Sequence, residues 1–436
     1  MRNKGKESEM RFSTVKAILA TSVSAAMVLS LAGCGRTNSS SSANEVSRIN
    51  SGKATGSLTI WAMGNEGEVL PKIVKDFEQD NPDVKVKVTS IPWSSAHDKL
   101  QTAIAAGNGP DIAQMGVTWM ADFSNAFAQV PNNFDMSDFQ TGPIDAGKVE
   151  GKQYGVPWYV DTRVLYYRTD IAKEAGWNHP PKTWTELKQM AQDMQKVKGV
   201  KWGMYDQPSG TDSFIFQLPY AYSAGASLNK GDKWTINTPA MTKAFNFFHS
   251  LVAEKIVNPD ANTTGGANMQ NFVSGDTPMM LEGPTAVSQI LQLGGSDFRH
   301  KFATATIPAE KAEDKGVSYV GGCDWTVFKD SAHQQTAWKF AQYMSQPKVQ
   351  AKWYKLSSDL PASKQAWKDK SVASSDKLTA FGEQLNNAKG TPNVTTWAQL
   401  AVQGDRMTEQ IAKNSISVSD GLKQLQQKAD SIGMGK

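Results

Sequence analysis

Short apolar segments alternate with longer amphipathic ones along most of the 436 residues. Leu58–Trp61 is a short apolar strand pattern, and apolar residues then recur at helical spacing from Val69 to Phe77. Valines alternate with lysines from Val84 to Val88, which predicts a second strand. A strand, a helix and a strand joined by connections of this length predict a parallel β-α-β unit.

The same alternation continues towards the C-terminus. Further elements are predicted from caps and periodicity, in chain order: a helix capped at Ser94 or Ser95 and ended by Gly107–Pro110, strands at Asp111–Met115 and Val164–Tyr167, helices starting at the capping box Thr183–Glu186 and at Thr238-Pro239, and helices at Ala337–Met344 and Asp420–Ile432. Alternating strands and helices over this length predict an α/β protein with two sheets.

The N-terminus has a different pattern. A basic segment is followed by an apolar run, Ala17–Ala32, which ends in Leu31-Ala32-Gly33-Cys34. This order is typical of a secretory signal, and the run is shorter and richer in Ser and Thr than a membrane span of about 20 apolar residues. We therefore expect residues 1–33 to be a signal peptide, with translation starting at Met1 or Met10.

The last four residues of this run resemble the lipobox of bacterial lipoproteins. The resemblance implies that Cys34 carries a lipid and holds the protein on the extracellular face of the cell membrane, with the membrane contacted only through this anchor. A plain secreted protein with an incidental cysteine is the alternative. Residues 34–56 are rich in Ser, Asn and Gly and poor in large apolar residues, so we expect a flexible tether.

Charge and cysteine content narrow the class of protein. The formal net charge is +4, and the five basic and two acidic residues before Ala17 supply +3 of it. A mature chain near neutrality argues against a nucleic-acid partner. Cys323 is the only other cysteine, so with Cys34 modified no disulfide is available and the hydrophobic core must suffice.

Known catalytic and cofactor motifs are absent from the sequence. It contains no phosphate-binding loop, no dinucleotide fingerprint, no His-Glu-x-x-His and no Gly-x-Ser-x-Gly elbow, and its five histidines are scattered. We expect no cofactor, no metal and no enzymatic activity. The chain has 13 tryptophans, and six of them stand beside turn residues: Trp61, Trp93, Trp119, Trp158, Trp325 and Trp397. Indole rings are flat apolar platforms that suit the C–H face of a sugar, although core packing is an equal alternative for each.

Several stretches together resemble the extracellular solute-binding proteins of carbohydrate ABC importers, the family that includes the maltodextrin-binding proteins. The resemblance extends over nearly the whole mature chain and rests on the order of these stretches: Leu58–Trp61 with Asn65–Gly67, Phe77-Glu78 with Asn81–Val84, Ala103–Ile112, Gly151–Pro157, Pro181–Trp184, Phe272–Gly275 with Met279-Met280, and Gly321-Gly322 with Trp325.

The resemblance implies a two-lobed periplasmic-binding-protein-like α/β fold. Its ligand cleft lies between lobes joined by hinge strands, and the lobes close on the ligand. By analogy, the first lobe comprises residues 57–160 and 316–360. The second comprises residues 161–315 and 361–436, the last segment being able to pack on both lobes.

The resemblance also implies ligand contacts at nine positions: Asn65, Glu66, Trp119, Trp158, Asp161, Glu282, Asp324, Trp325 and Trp397. Carboxylates and amides would replace water at sugar hydroxyls, and tryptophans would stack on the rings. After Gly283-Pro284 this chain has Thr285 where the maltodextrin-binding proteins carry a tryptophan, which argues against a maltodextrin ligand. The expected function is capture of a di- or oligosaccharide by a monomer that delivers it to ABC permease subunits.

Three alternatives stay open at this stage. The same fold could bind a non-sugar solute such as iron, phosphate, an amino acid or a polyamine. A secreted glycoside hydrolase would also need aromatic platforms and two carboxylates. An adhesin or chaperone without a small ligand is the third alternative.

Overall fold

The computed structural model describes residues 46–263 and 266–435, apart from the side chain of Ser94. The predicted signal peptide and Cys34 lie outside these residues. The strands are β1 (Gly56–Met63), β2 (Val84–Ile91), β3 (Ile112–Gly116), β4 (Lys148–Val149), β5 (Lys152–Gln153), β6 (Gly155–Thr162), β7 (Val164–Arg168), β8 (Asn229–Lys230), β9 (Lys233–Trp234), β10 (Met279–Glu282), β11 (Phe302–Ala305), β12 (Ser318–Val327), β13 (Leu360–Pro361) and β14 (Ala388–Lys389).

α-Helices and short 3₁₀ turns occupy much of the chain between the strands. The α-helices are α1 (Gly64–Val69), α2 (Pro71–Asp80), α3 (Trp93–Ala105), α4 (Met120–Phe123), α5 (Thr141–Ala146), α6 (Thr169–Glu174), α7 (Trp184–Gln195), α8 (Ser213–Phe216), α9 (Leu218–Ser223), α10 (Pro239–Ala253), α11 (Ala267–Ser274), α12 (Thr285–Gly294), α13 (Gln334–Met344), α14 (Pro347–Ser357), α15 (Lys370–Ala373), α16 (Thr379–Gln384), α17 (Trp397–Ala412) and α18 (Val418–Ile432). Short 3₁₀ turns lie at Val117–Trp119, Ser124–Ala126, Ser296–His300, Ala366–Lys368 and Leu385–Asn387.

The larger sheet has the strand order β13-β6-β12-β3-β1-β2, with β14 paired to β12. β1 runs parallel to β2 and β3, and Ile60 lies between Val88 and Ile112. The predicted β-α-β unit is therefore confirmed. β12 is antiparallel to both of its long neighbours, β3 and β6.

The smaller sheet is antiparallel, with β7 between β10 and β11. The chain changes sheets within a single residue, because β6 ends at Thr162 in the larger sheet and β7 begins at Val164 in the smaller one. It returns between β11 and β12. Two sheets joined in this way form the two lobes of the predicted α/β fold, and residues close to both changes of sheet can line a space between the lobes.

Two of the three predicted helix caps are confirmed. Thr183 accepts a hydrogen bond from the Glu186 amide at 3.2 Å, and Thr238 accepts one from the Met241 amide at 3.3 Å. The third prediction, a serine cap at 94 or 95, is wrong. Helix α3 starts directly after Pro92, whose carbonyl accepts the Ser95 amide at 3.0 Å. Proline fixes the backbone there without a side-chain cap.

The predicted flexible tether ends earlier than residue 56. Residues 46–55 lie against α13 and its neighbours, where Asn133 bonds both the amide and the carbonyl of Ile49 at 2.9 Å. Thr336 donates to the Thr55 carbonyl at 2.7 Å, and Ile49 and Ala54 are buried. Side-chain amides and hydroxyls thus replace the missing backbone partners of a segment with few apolar residues. None of the helices in the described residues has the length and hydropathy that a membrane crossing requires.

Candidate functional site

The change of sheet between β6 and β7 borders a cavity of about 590 Å³. This outer compartment is lined from both lobes by Trp93, Gly116–Trp119, Tyr159, Asp161, Arg163, Thr211, Asp212, Ile215, Tyr319–Cys323 and Thr391. A separate cavity of about 490 Å³ near Pro180 has no aromatic side chain in its lining. The volume of the outer compartment and its mixture of aromatic and polar groups are typical of a site for a small-molecule ligand.

An aromatic rim stands on the first-lobe side of the outer compartment. Trp93 is the first residue of α3, and Trp119 ends the 3₁₀ turn after β3. Their ring centroids lie 5.5 Å apart at 62°, and the His97 ring lies 5.4 Å from the Trp119 ring at 84°. His97 is held by Asp122 at 3.0 Å. Trp119 thus contacts two aromatic rings, whereas Trp93 is 37% exposed.

The polar floor comes from one face of β6. Side chains alternate along a strand, so Tyr159 and Asp161 share one face and point to the cavity. Arg163 joins the two sheets, and its Nη1 lies 2.5 Å from the Asp161 Oδ2. The guanidinium also lies 5.1 Å from the centroid of the Tyr319 ring. Burial is the largest influence on the pKa of Arg163 and acts to lower it, but the interactions with Asp161, Tyr319 and Glu282 together outweigh burial and raise the pKa.

Asp212 reaches the cavity from a strained turn in the second lobe. Its φ of 68° lies in the left-handed region, which Asp tolerates better than most residues. Asp405 on α17 holds this turn by accepting the amides of Asp212 at 3.1 Å and Phe214 at 2.8 Å. The carboxylate of Asp405 therefore supplies the cap that the start of α8 lacks.

A smaller inner compartment of about 200 Å³ adjoins the outer one and shares Tyr159, Asp161 and Arg163 with it. Its other lining residues are Glu66, Val160, Glu282–Thr285 and Asp359. Burial raises the pKa of Glu282. Burial and then the carboxylate of Glu66 raise the pKa of Asp359 well above its ordinary value.

A hydrogen-bonded group connects the two compartments at their floor. The Tyr159 hydroxyl donates to Glu66 Oε1 at 2.7 Å and accepts from Gln114 Nε2 at 3.1 Å. The Cys323 sulfur lies 3.1 Å from the same hydroxyl. The backbone approaches closely here, because Gly322 has a φ of 119° and a Cβ at this position would lie 2.2 Å from the Tyr159 carbonyl oxygen. The tyrosine ring is thereby held in one position.

The structure brings four of the nine predicted contact residues together. Trp119 and Asp161 line the outer compartment, and Glu66, Asp161 and Glu282 line the inner one. Asn65 is exposed on α1 and lines neither compartment. Their roles in binding remain predictions, since proximity to a cavity is not contact with a ligand.

Three predicted tryptophan platforms are wrong. Trp158 and Trp325 are fully buried and stack on each other, with ring centroids 4.1 Å apart. Trp158 lies on the face of β6 opposite to Asp161, which turns its ring into the core. Trp397 is 2% exposed and packs with Phe214 and Trp234 in the second lobe. Its neighbours at helical spacing, Leu400 among them, are buried on the same face of α17.

Asp324 is also corrected. The residue is 1% exposed, and its Oδ2 lies where a Cβ on Gly155 would come within 2.1 Å. It follows a bulge in β12 and packs against Gly147 and Gly155 instead of facing the cavity. Burial raises the pKa of the Asp324 carboxyl group well above its ordinary value.

Sequence reasoning missed several residues of the cavity. Trp93 is one of the six tryptophans beside turn residues, but the family resemblance implies no ligand contact there. Tyr159 and Arg163 could have been found by keeping the parity of Asp161 along β6. Tyr319 and Asp359 had no local signal, because they reach the cavity through strand pairing and contacts between distant segments.

Two lobes joined by strands at β6–β7, with an aromatic and acidic cavity at the junction, define a two-lobed solute-binding protein. The chain belongs to the bacterial extracellular solute-binding protein family, whose model matches residues 63–351. The sugar-binding protein MalE of Xanthomonas citri is 31% identical, with a TM-score of 0.81 over 86% of this chain and 97% of that one.

Other relatives agree with this membership. The arabinooligosaccharide-binding protein of Bacillus subtilis is 24% identical over 81% of this chain and 82% of its own length. The GacH receptor of Streptomyces glaucescens shares the fold, with 24% identity and a TM-score of 0.77 over 87% of this chain and 99% of that one. These relatives are binding proteins and not enzymes, and this class applies to the chain as well. In the described part of the chain, no group of three or more His, Cys, Asp or Glu residues is arranged to hold a metal ion.

Proposed function

We propose that the outer and inner compartments bind a di- or oligosaccharide. The observation that carries this proposal is the pairing of the fixed aromatic rim at Trp119 with the charged floor at Asp161 and Arg163 in one cavity. The apolar face of a sugar ring suits an indole, and its hydroxyls suit carboxylates and a guanidinium.

The names of relatives support a sugar of more than one ring. They include an arabinooligosaccharide-binding protein, a galactooligosaccharide-binding protein and a maltodextrin-binding protein, all of Bacillus subtilis. The volume of about 590 Å³ in the outer compartment also exceeds what a single small solute would fill.

The test is a titration of the chain from residue 46 onward with malto-, isomalto-, cello-, xylo- and raffinose-type oligosaccharides, followed by calorimetry. A saturable response to one class supports the proposal, and Trp119→Ala should then weaken binding at least tenfold. Trp202→Ala is the matched control, because Trp202 is half-buried and lines neither compartment. If no sugar binds and iron, phosphate or a polyamine raises the melting temperature, the proposal is wrong and the ligand belongs to the non-sugar alternatives.

We further propose that the protein is a monomer, is anchored by a lipid on Cys34 to the extracellular face of the cell membrane, and delivers its sugar to ABC permease subunits. Membership of the solute-binding family supports the importer partnership, and the Leu31–Cys34 motif supports the anchor. Cys34→Ala should release the protein from membranes into the medium. Retention of the variant on membranes would contradict the lipid anchor without affecting the proposed ligand.

A further inference from the structure

The inner compartment differs from the outer one in its charge. Four carboxylates line its roughly 200 Å³: Glu66, Asp161, Glu282 and Asp359. Arg163 is the only cationic side chain in the same lining, so with all four carboxyl groups ionised the formal charge around this small space would be three negative charges in excess. The remaining lining residues, Tyr159, Val160 and Gly283–Thr285, carry no charge at neutral pH.

One ion pair compensates part of this charge. Arg163 Nη1 contacts Asp161 Oδ2 at 2.5 Å. Within the residues that the structure describes, no Lys, Arg or His nitrogen forms an ion pair with Glu66, Glu282 or Asp359. These three side chains therefore lack an ion-pair partner among the described residues, and Arg163 attracts Glu282 only from beyond ion-pair distance.

Neutral donors hold the other three carboxylates in place. Glu66 accepts from the Tyr159 hydroxyl at 2.7 Å. Glu282 accepts from Asn268 Nδ2 at 2.6 Å and from the Gly283 amide at 3.1 Å. These bonds orient the oxygen atoms without removing their charge.

Asp359 is held in the same way and is the most deeply placed of the four. It is 8% exposed, and its Oδ2 accepts from the indole nitrogen of Trp353 at 3.0 Å. A buried carboxylate beside other carboxylates is unfavourable unless a cation or a proton reaches it. In the empty site, burial and the neighbouring charge of Glu66 favour the proton on Asp359.

A neutral sugar would leave this imbalance in place, because a hydroxyl donates one hydrogen bond and brings no charge. An ammonium group brings three donors and a positive charge to the same position. Charge-assisted hydrogen bonds of this kind are roughly twice as strong as neutral ones. The inner compartment is also too small for more than about one sugar ring, whereas the outer compartment has room for the rest of an oligosaccharide.

We infer that the inner compartment selects a terminal sugar ring that carries a protonated amine, so that the ligand class is an amino sugar or an oligosaccharide ending in one. This inference rests on the proposed oligosaccharide function and specifies its substrate class. It requires no covalent step, only binding of the ammonium among the carboxylates of Glu66, Glu282 and Asp359.

The experiment compares matched sugars by calorimetry on the chain from residue 46 onward. The probes are glucosamine, galactosamine and mannosamine, each against its parent hydroxyl sugar and its N-acetyl form, together with the neutral oligosaccharide panel. In at least one series the amine should bind ~10-fold or more tightly than both matched sugars, since the N-acetyl form has no charge. Asp359→Asn and Glu282→Gln should each reduce this preference to about threefold or less, whereas the surface control Asp76→Asn should preserve it.

The outcomes separate the two claims. A protein that binds neutral oligosaccharides but prefers none of the amines overturns the inference and leaves the proposed function intact. A protein that binds neither neutral nor amino sugars overturns both. Retention of the full amine preference by the folded Asp359→Asn and Glu282→Gln variants would also overturn the inference, since the ammonium would then bind elsewhere.

Discussion

The two faces of β6 lie in different environments, one in the hydrophobic core and the other at the candidate site. One face places Trp158 in the core, where it stacks on Trp325 with ring centroids 4.1 Å apart. The other face places Tyr159 and Asp161 in the lining of both compartments. Both faces carry an aromatic residue, so strand parity and not aromatic content separates packing from the candidate site. Aromatic content therefore indicates a sugar site only when the face is known.

Truncating a side chain on the core face of β6 should have the largest effect on stability. Trp158→Ala leaves a cavity beside Trp325 and Trp353, and we expect the free energy of unfolding to fall by ~3–5 kcal/mol. Urea unfolding measures this loss, with Trp202→Ala as the control. Ligand affinity of the folded fraction should change little. A stable variant that had lost its sugar affinity would show that Trp158 belongs to the site and that the assignment of faces is inverted.

A buried carboxyl group away from both compartments offers the second test. Burial raises the pKa of Asp206 to about 7, against the lowering effect of its bond from Gln217, and the ordinary value is 3.8. Between these two values the folded protein keeps a proton that the unfolded chain releases. Stability should thus fall as pH rises through this window and become constant above it.

Asp206→Asn removes this titration. We expect the stability of the variant relative to the wild-type protein to rise by ~3 kcal/mol between pH 5 and pH 8, measured by urea unfolding at each pH. Sugar affinity should be the same in both proteins, because Asp206 lines neither compartment. A constant stability difference across this range would mean that the buried carboxyl does not change its charge there.

The site face of β6 should show the reverse pattern. Asp161→Asn replaces the charge-assisted contact with Arg163 by a neutral one, and a ligand hydroxyl loses a charged acceptor. We expect affinity for the best oligosaccharide to fall ~10–100-fold in calorimetry, which corresponds to 1.5–3 kcal/mol for a hydrogen bond to a charged group. The melting temperature should move by only a few degrees, since Asp161 is partly exposed. Unchanged affinity would remove Asp161 from the site.

Several features that depend on near neighbours in the sequence are predicted correctly, whereas the role of a strand residue also depends on which face it lies on. The β-α-β unit and the caps at Thr183 and Thr238 depend on neighbours within a few residues, and they were predicted correctly. The predicted platform at Trp158 is wrong because residue type without strand parity does not show which face of β6 meets the cavity. The helical spacing from Trp397 to Leu400 predicts packing, and the turn before Trp397 does not by itself indicate a platform.

Contacts between segments far apart in the sequence limit how much of the site can be predicted. Asp359 reaches the inner compartment from a position 293 residues after Glu66, and no local pattern connects the two. The segment at Ile49 resembles a linker in composition, yet Asn133 orders it through two hydrogen bonds. Sequence reasoning recognises elements through periodicity, whereas a site assembled from both lobes depends on how those elements meet.

The smallest expected effect concerns the aromatic rim itself. Trp93 is 37% exposed and contacts Trp119 from one side, so its ring is less constrained than that of Trp119. We expect Trp93→Ala to weaken sugar binding about fivefold, in line with ~1 kcal/mol for one aromatic contact, and Trp93→Phe to recover most of the loss. Calorimetry with the best oligosaccharide measures both. If Trp93→Ala weakens binding as strongly as Trp119→Ala, both rings contact the sugar and the rim is a double platform. If it has no effect, Trp93 only supports Trp119, and the ring that meets the ligand is Trp119, which also contacts His97.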